Sequence, residues 1–158
     1  MIEEIFTQMV LKNWEAQNKS MDEFVDSLSD EDFKKDVAPG KNSVQYLVGH
    51  MISANESMVK IFGLGQPLFP EYEQIFIRTP DHSGQEFPSA SELRENYKKH
   101  REELKSLFEK ITPDQWMSKH AMMSDEDFEK EPTRNKMSVL LSRIHHLAYH
   151  LGQMKLAK

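Results

Sequence analysis

The sequence predicts an all-α protein: one domain over residues 1–158, built as a four-helix bundle with long interhelical connections. Three observations predict it. Four stretches repeat apolar residues at the 3–4 spacing of a single helix face. The segments between them are rich in proline, glycine and capping residues, so they break the helices. No stretch sustains the alternation of a strand; "QIFIRT" comes nearest and is too short to count.

The first helix is expected over residues 2–28. Its stripe is Ile2, Ile5, Phe6, Met9, Val10, Trp14, Met21, Phe24, Val25 and Leu28. "SDEDF" then offers Ser29 or Asp30 as the start of a short turn, and "APGK" interrupts the chain. Ser43 caps a second helix, roughly 43–62. The following segment admits at most a short helical turn around "EYEQIF". Ser89 or Ser91, each with a glutamate after it, caps a third helix at about 90–110. "ITPDQW" reads as a further short helical start. An acidic, methionine-rich loop precedes the fourth helix, which runs from about Asn135 to the end. "SDEDFKK" and "SDEDFEK" nearly repeat, and shared helix-start chemistry accounts for that. Because all three connections are long, crossovers are compatible with the pattern.

Composition narrows the function. Apolar residues make up 38% and charged residues 29%, as in a globular domain. The net charge is −6, and the basic residues are scattered among acids. A phosphate-binding face is therefore not expected, nor is docking on nucleic acid or an acidic membrane. No apolar run reaches membrane-span length, and "MIEEIFTQMV" lacks the features of a signal peptide. The chain has no cysteine, which removes disulfides, thiolate metal sites and a cysteine nucleophile. The cytoplasm is the expected compartment.

Chemistry concentrates in "HHLAYHLGQ", residues 145–153. His146 and His150 are four apart on one helix face and can reach a single metal ion. His145 lies about 100° away and cannot join them. The pair sits beside the greasiest stripe of the last helix, at the margin of the core; a merely polar edge fits the same wheel. On the second helix His50 also lies at the margin of an apolar stripe, with the small residues Ser53, Ala54 and Ser57 leaving room beside it. Facing helices of a bundle are where such sites are built. His82, His100 and His120 are expected in solvent, with His82 or His120 able to form part of a lid. Glu56 falls on another face and is expected in solvent. Gln153 can orient a ligand or pack. Asn13, Trp14 and Gln17 are candidates for a pocket wall or for ordinary core and surface positions, and His145 for a surface or dimer-contact role ahead of a supporting one.

"VQYLVGHMISANE" followed by "HHLAYHLGQ" resembles the DinB/YfiT-like superfamily, whose pattern is a histidine on the second helix and His-x-x-x-His-x-Gly-Gln on the fourth. "APGKNSVQYLVGHM" is similar to that family's entry into the histidine helix. The likeness covers the whole chain in layout and about 25 residues in its specific part. It implies that His50, His146 and His150 form a metal triad, holding Zn or Ni first and Fe or Mn next, in a homodimeric bundle. The implied activities are those of metal-dependent hydrolases and of transferases using a low-molecular-weight thiol. A stress-response bundle that keeps the metal without turnover is the alternative. Three neutral imidazoles would leave coordination positions open, as catalytic sites do.

Overall fold

The computed structural model describes residues 1–158 and contains helices and turns but no strand. Four long helices form the bundle: α1 (Ile2–Asp26), α3 (Val44–Ile61), α4 (Ala90–Phe108) and α7 (Lys136–Lys155). Three short ones lie in the connections: α2 (Asp30–Phe33), α5 (Pro113–Trp116) and α6 (Asp125–Lys130). "QIFIR", Gln74–Arg78, is a π-helical turn and not a strand.

The helix starts follow local chemistry. The Ser43 hydroxyl accepts from the amide of Tyr46, and Asn135 caps α7 through Ser138. Ser89 and Glu92 form a reciprocal capping box, as do Ser29 and Asp32. Ser124 caps α6 through Asp127 in the same way that Ser29 caps α2. The repeated heptapeptide is thus a repeated helix start, and the loop expected before α7 contains a short helix.

α1 and α3 each pack against both α4 and α7. Helices consecutive among the four, α1 and α3, or α4 and α7, therefore stand across the diagonal, and their connections cross an end of the bundle. α1 and α4 run antiparallel, joined by Glu15–Lys105 (3.2 Å), Asp22–Arg101 (2.8 Å) and Asp26–Lys98 (2.9 Å). α3 and α7 are also antiparallel, because His50 meets His146 while Ser57 meets Arg143. α3 and α4 are parallel neighbours, with Phe62 against Phe108 at their C-terminal ends. An 18-residue helix is about 27 Å long. Residues 62–89 return the chain over that distance, running along α3 as they do.

The core has an aromatic knot at one end, where Phe62 and Phe108 pack tilted on each other, both meet Trp116 edge-on, and Trp14 packs on Phe108. Trp14 is thus a core residue. Asn13 is exposed and Gln17 half-buried, and neither lines the cleft described below. α1 buries two polar residues, Thr7 and Asn18, and Asn18 donates to the Trp14 carbonyl and accepts from the Tyr97 hydroxyl at 3.0 Å.

His100 corrects the sequence expectation. It is completely buried, against Tyr97. The charged run "KKHRE" suggests a solvated face, but His100 lies on the inner face of α4, in register with Leu93, Tyr97 and Leu104.

Candidate metal centre

His50 on α3 and His146 and His150 on α7 converge. The Nε2 of His146 lies 3.3 Å from that of His50 and 3.0 Å from that of His150. One ring nitrogen from each can be chosen so that all three lie within 4.8 Å of one another. Ligand atoms about 2.0–2.1 Å from one ion are about 2.8–3.4 Å apart along the edges of an octahedron or tetrahedron. The two separations that His146 makes match edges of such a polyhedron.

Two of the rings are held with their Nε2 lone pairs turned inward. His50 Nδ1 lies 2.9 Å from the Phe76 carbonyl oxygen, and an oxygen of that kind only accepts. Nδ1 therefore carries the proton, and Nε2 is bare. His150 Nδ1 donates in the same way to Gln153 Oε1 at 2.8 Å. The Gln153 amide is itself oriented, because its Nε2 donates to the Tyr149 hydroxyl. Oxygen acceptors on Nδ1 are the usual support of a metal-binding imidazole. His146 lacks this support: its Nδ1 is buried without a partner. At most one of the two close N···N contacts can be an ordinary hydrogen bond, since only His146 Nε2 is free to carry a proton. A cation resolves the crowding of three lone pairs, so the donor set fits a metal.

Protonation follows burial. The pKa of His146 is pushed down to about 4, first by desolvation and then by the neighbouring His150 and His50. Those of His50 and His150 are also lowered, again chiefly by burial. All three rings are neutral at pH 7, as ligands must be.

The π-helical turn supplies the Phe76 carbonyl. Its ring lies directly over Gly49, where a Cβ would come within 2.3 Å of it. The missing side chain at Gly49 thus lets the turn sit low enough for its carbonyl to reach His50.

A cleft of about 350 Å³ opens beside His50 and His146, bounded by Ser53, Ser57, Phe69 and Arg143. The small residues of α3 leave space there, as their sequence implied. Glu56 also reaches this cleft and corrects the expectation of a solvated side chain. It is 2% exposed, and its two oxygens accept from the amides of Leu68 (3.0 Å) and Phe69 (2.9 Å). Burial raises its pKa, and those two hydrogen bonds oppose the rise. Glu56 is therefore a clasp on the connection between α3 and α4. Nothing in its sequence neighbourhood signals this, because the partners are backbone amides of a loop.

The other histidines stand apart. His145 is exposed, as expected. His82 is exposed, has a left-handed backbone (φ 61°) and lies 3.2 Å from Asp36. His120 is half-buried at a neighbouring cleft. None of these belongs to the triad or lines the cleft beside it.

Comparison with known proteins agrees with the geometry. A conserved protein of Enterococcus faecalis, known from its crystal structure, superposes with a TM-score of 0.66 at 16% identity, covering 96% of this chain and 94% of that one. That likeness establishes a shared fold. No curated protein matches significantly. The model of the DinB superfamily, a metal-binding group, matches residues 13–154, a span that contains all three converging histidines. The chain belongs to the DinB superfamily.

Proposed function

We propose that this protein is a metal-dependent enzyme acting on a small molecule, with one divalent cation held by the Nε2 atoms of His50, His146 and His150. The observation that carries the reading is the pair of oriented rings: Phe76 and Gln153 fix the protons of His50 and His150 on Nδ1, on the side away from the shared point. Imidazole donors suit zinc and nickel, with iron next; manganese prefers oxygen donors. A bound cation with open positions supplies Lewis acidity, lowering the pKa of water or of a thiol.

Transfer of a low-molecular-weight thiol is favoured over hydrolysis. Glu56, the buried carboxylate of the cleft, already accepts two backbone hydrogen bonds, so it is a poor general base. A thiol needs less help than water to lose its proton, since its ordinary pKa is already about 8.5. The chain's own part is to orient the ligands, shape the cleft and hold the substrate beside them. Metal analysis of protein purified without a nickel column tests the site. A thiol-conjugation assay run beside a panel of hydrolysable esters and amides, on reconstituted protein, separates the two activities. Failure of both with metal bound supports a non-catalytic stress-response role.

The active form is proposed to be a homodimer in the cytoplasm. Ile2, Ile5, Phe6 and Met9 form an exposed apolar stripe on α1, with Ile5 53% and Met9 58% exposed. A second copy would cover it. No helix is long and apolar enough to cross a membrane.

A further inference from the structure

Arg143 is a half-buried cation without a counter-ion. It lies on α7 one turn before His146 and borders the same cleft as His50. Its Nη2 donates to Ser57 Oγ at 3.1 Å, while its Nε is buried with no partner. The Ser57 hydroxyl donates onward to the Ala54 carbonyl. Burial alone lowers the Arg143 pKa; no acid opposes it. The carboxylates that share the cleft are engaged elsewhere. Glu56 is taken up by the Leu68 and Phe69 amides, and Glu73 by Arg78 at 2.8 Å and Lys60 at 4.0 Å. A guanidinium has five donors in a planar fork, and removing it from water is costly unless an anion meets it.

An independent observation lies on the far side of Arg143. A second cleft, of about 310 Å³, is bordered by His120, Arg134, Ser138, Ser142 and Arg143 and has no acidic residue in its walls. In a chain of net charge −6 this is a local reversal of sign. Arg143 stands where the two clefts meet.

We infer that Arg143, with Arg134 and His120 behind it, forms a subsite for a carboxylate group of the small molecule whose reacting end meets the three-histidine centre. The planar fork of Arg143 matches a carboxylate with two parallel hydrogen bonds. The position of the reacting end rests on the proposed metal function; the carboxylate contact does not. Residues 143 and 146 have Cβ atoms about 5–6 Å apart, so one short molecule spans both. The substrate class is thus a small acid with a second functional group a few bonds from its carboxylate.

Two measurements test this separately from the metal. In metal-free protein, propionate is titrated while the Arg143 Nε–H resonance is followed, with 1-propanol as the neutral control. A saturable shift with propionate alone is expected, and no shift overturns the subsite. In cobalt-substituted protein, 3-mercaptopropionate and 6-mercaptohexanoate are compared with 2-mercaptoethanol and 6-mercaptohexanol through the thiolate-to-cobalt absorption band. At least one acid should bind about tenfold more tightly than its neutral partner, the scale of one charge-assisted pair. Arg143→Gln should abolish that preference and leave the neutral thiols unchanged. A preference that survives Arg143→Gln belongs to chelation by the metal and overturns the subsite, as do equal affinities in the wild type. Should Arg143→Gln not fold, Arg143→Lys, which keeps the charge and loses the fork, should reduce the preference. Failure of the chain to take up cobalt overturns the metal reading, while the propionate titration still decides the carboxylate contact.

Discussion

His50 is bound to Phe76 by the 2.9 Å hydrogen bond from its Nδ1 to the Phe76 carbonyl oxygen, and the Phe76 ring occupies the space a Cβ on Gly49 would need. Position 49 therefore acts on the neighbouring His50 ring through Phe76. Alanine is intrinsically better than glycine in a helix by about 1 kcal/mol. Gly49→Ala is nevertheless expected to destabilise the protein by roughly 1–3 kcal/mol, because Phe76 must move. Metal affinity should fall about 10–100-fold as the Nδ1 contact is lost. Denaturant unfolding and competition with a chromogenic chelator measure the two effects. A variant that is more stable and binds metal normally would refute this account.

The register of α7 is tested by its three histidines. His146→Ala or His150→Ala should abolish stoichiometric metal binding while leaving the helical circular dichroism intact. His145→Ala should change little, since that side chain is exposed. Metal content by mass spectrometry, on protein prepared without affinity nickel, gives the answer. Loss at His145 with retention at His146 would mean the wrong face has been assigned.

Metal should stabilise the fold over an unusually wide pH range. Binding only to the folded state adds about 2.7 kcal/mol at a hundredfold excess over Kd. Ordinary imidazoles would lose metal to protons below about pH 6. Here burial lowers all three pKa values, that of His146 to about 4. Protons therefore compete only at lower pH, and the metal-induced rise in Tm should persist below pH 6 and shrink as pH nears 4. Scanning calorimetry with and without zinc checks this; a rise already gone at pH 6 would contradict it.

His100 supplies a different pH dependence. Complete burial lowers its pKa from 6.5 to about 4. The unfolded chain then binds its proton first, so folding stability falls as pH drops from about 6.5 towards 4 and levels off below. Full expression of that shift amounts to roughly 3 kcal/mol. His100→Gln should flatten this part of the metal-free stability curve relative to wild type. An unfolding free energy that changes by the same amount between pH 7 and pH 4.5 in wild type and variant would count against it.

The α1 stripe predicts assembly. Sedimentation equilibrium at about 10–100 μM, an ordinary range for reversible dimers, should show twice the 18.5 kDa chain mass. Phe6→Glu combined with Met9→Glu should give monomer without loss of helicity. Wild type that stays monomeric would remove the proposal.

The helices and the triad were legible because they rest on local rules. Capping residues mark Ser43 and Ser89, and i,i+4 spacing marks His146 and His150. His50 was found because its margin position and small neighbours describe a gap. What the sequence hid depends on the return segment 62–89 and on helix pairing. Glu56 looks solvated until Leu68 and Phe69 close over it, and the short turn expected around "EYEQIF" gives no sign that it is a π-helical turn packed on Gly49. His100 was missed because charged neighbours on both sides disguise an inward-facing position. Asn18 and Tyr97 satisfy each other across two helices, a pairing no local pattern carries.

The segment 62–89 has a mechanical consequence. It contributes Phe69 to the wall of the cleft and the Phe76 carbonyl to His50. Wall and ligand support are thus one piece of backbone, clasped at one point by Glu56. A molecule that presses on the wall strains the same element that sets the donor strength of His50. With a cation bound as proposed, occupancy of the cleft would be felt at the three histidines, and the d–d spectrum of a cobalt-loaded protein would report ligands that never touch the ion.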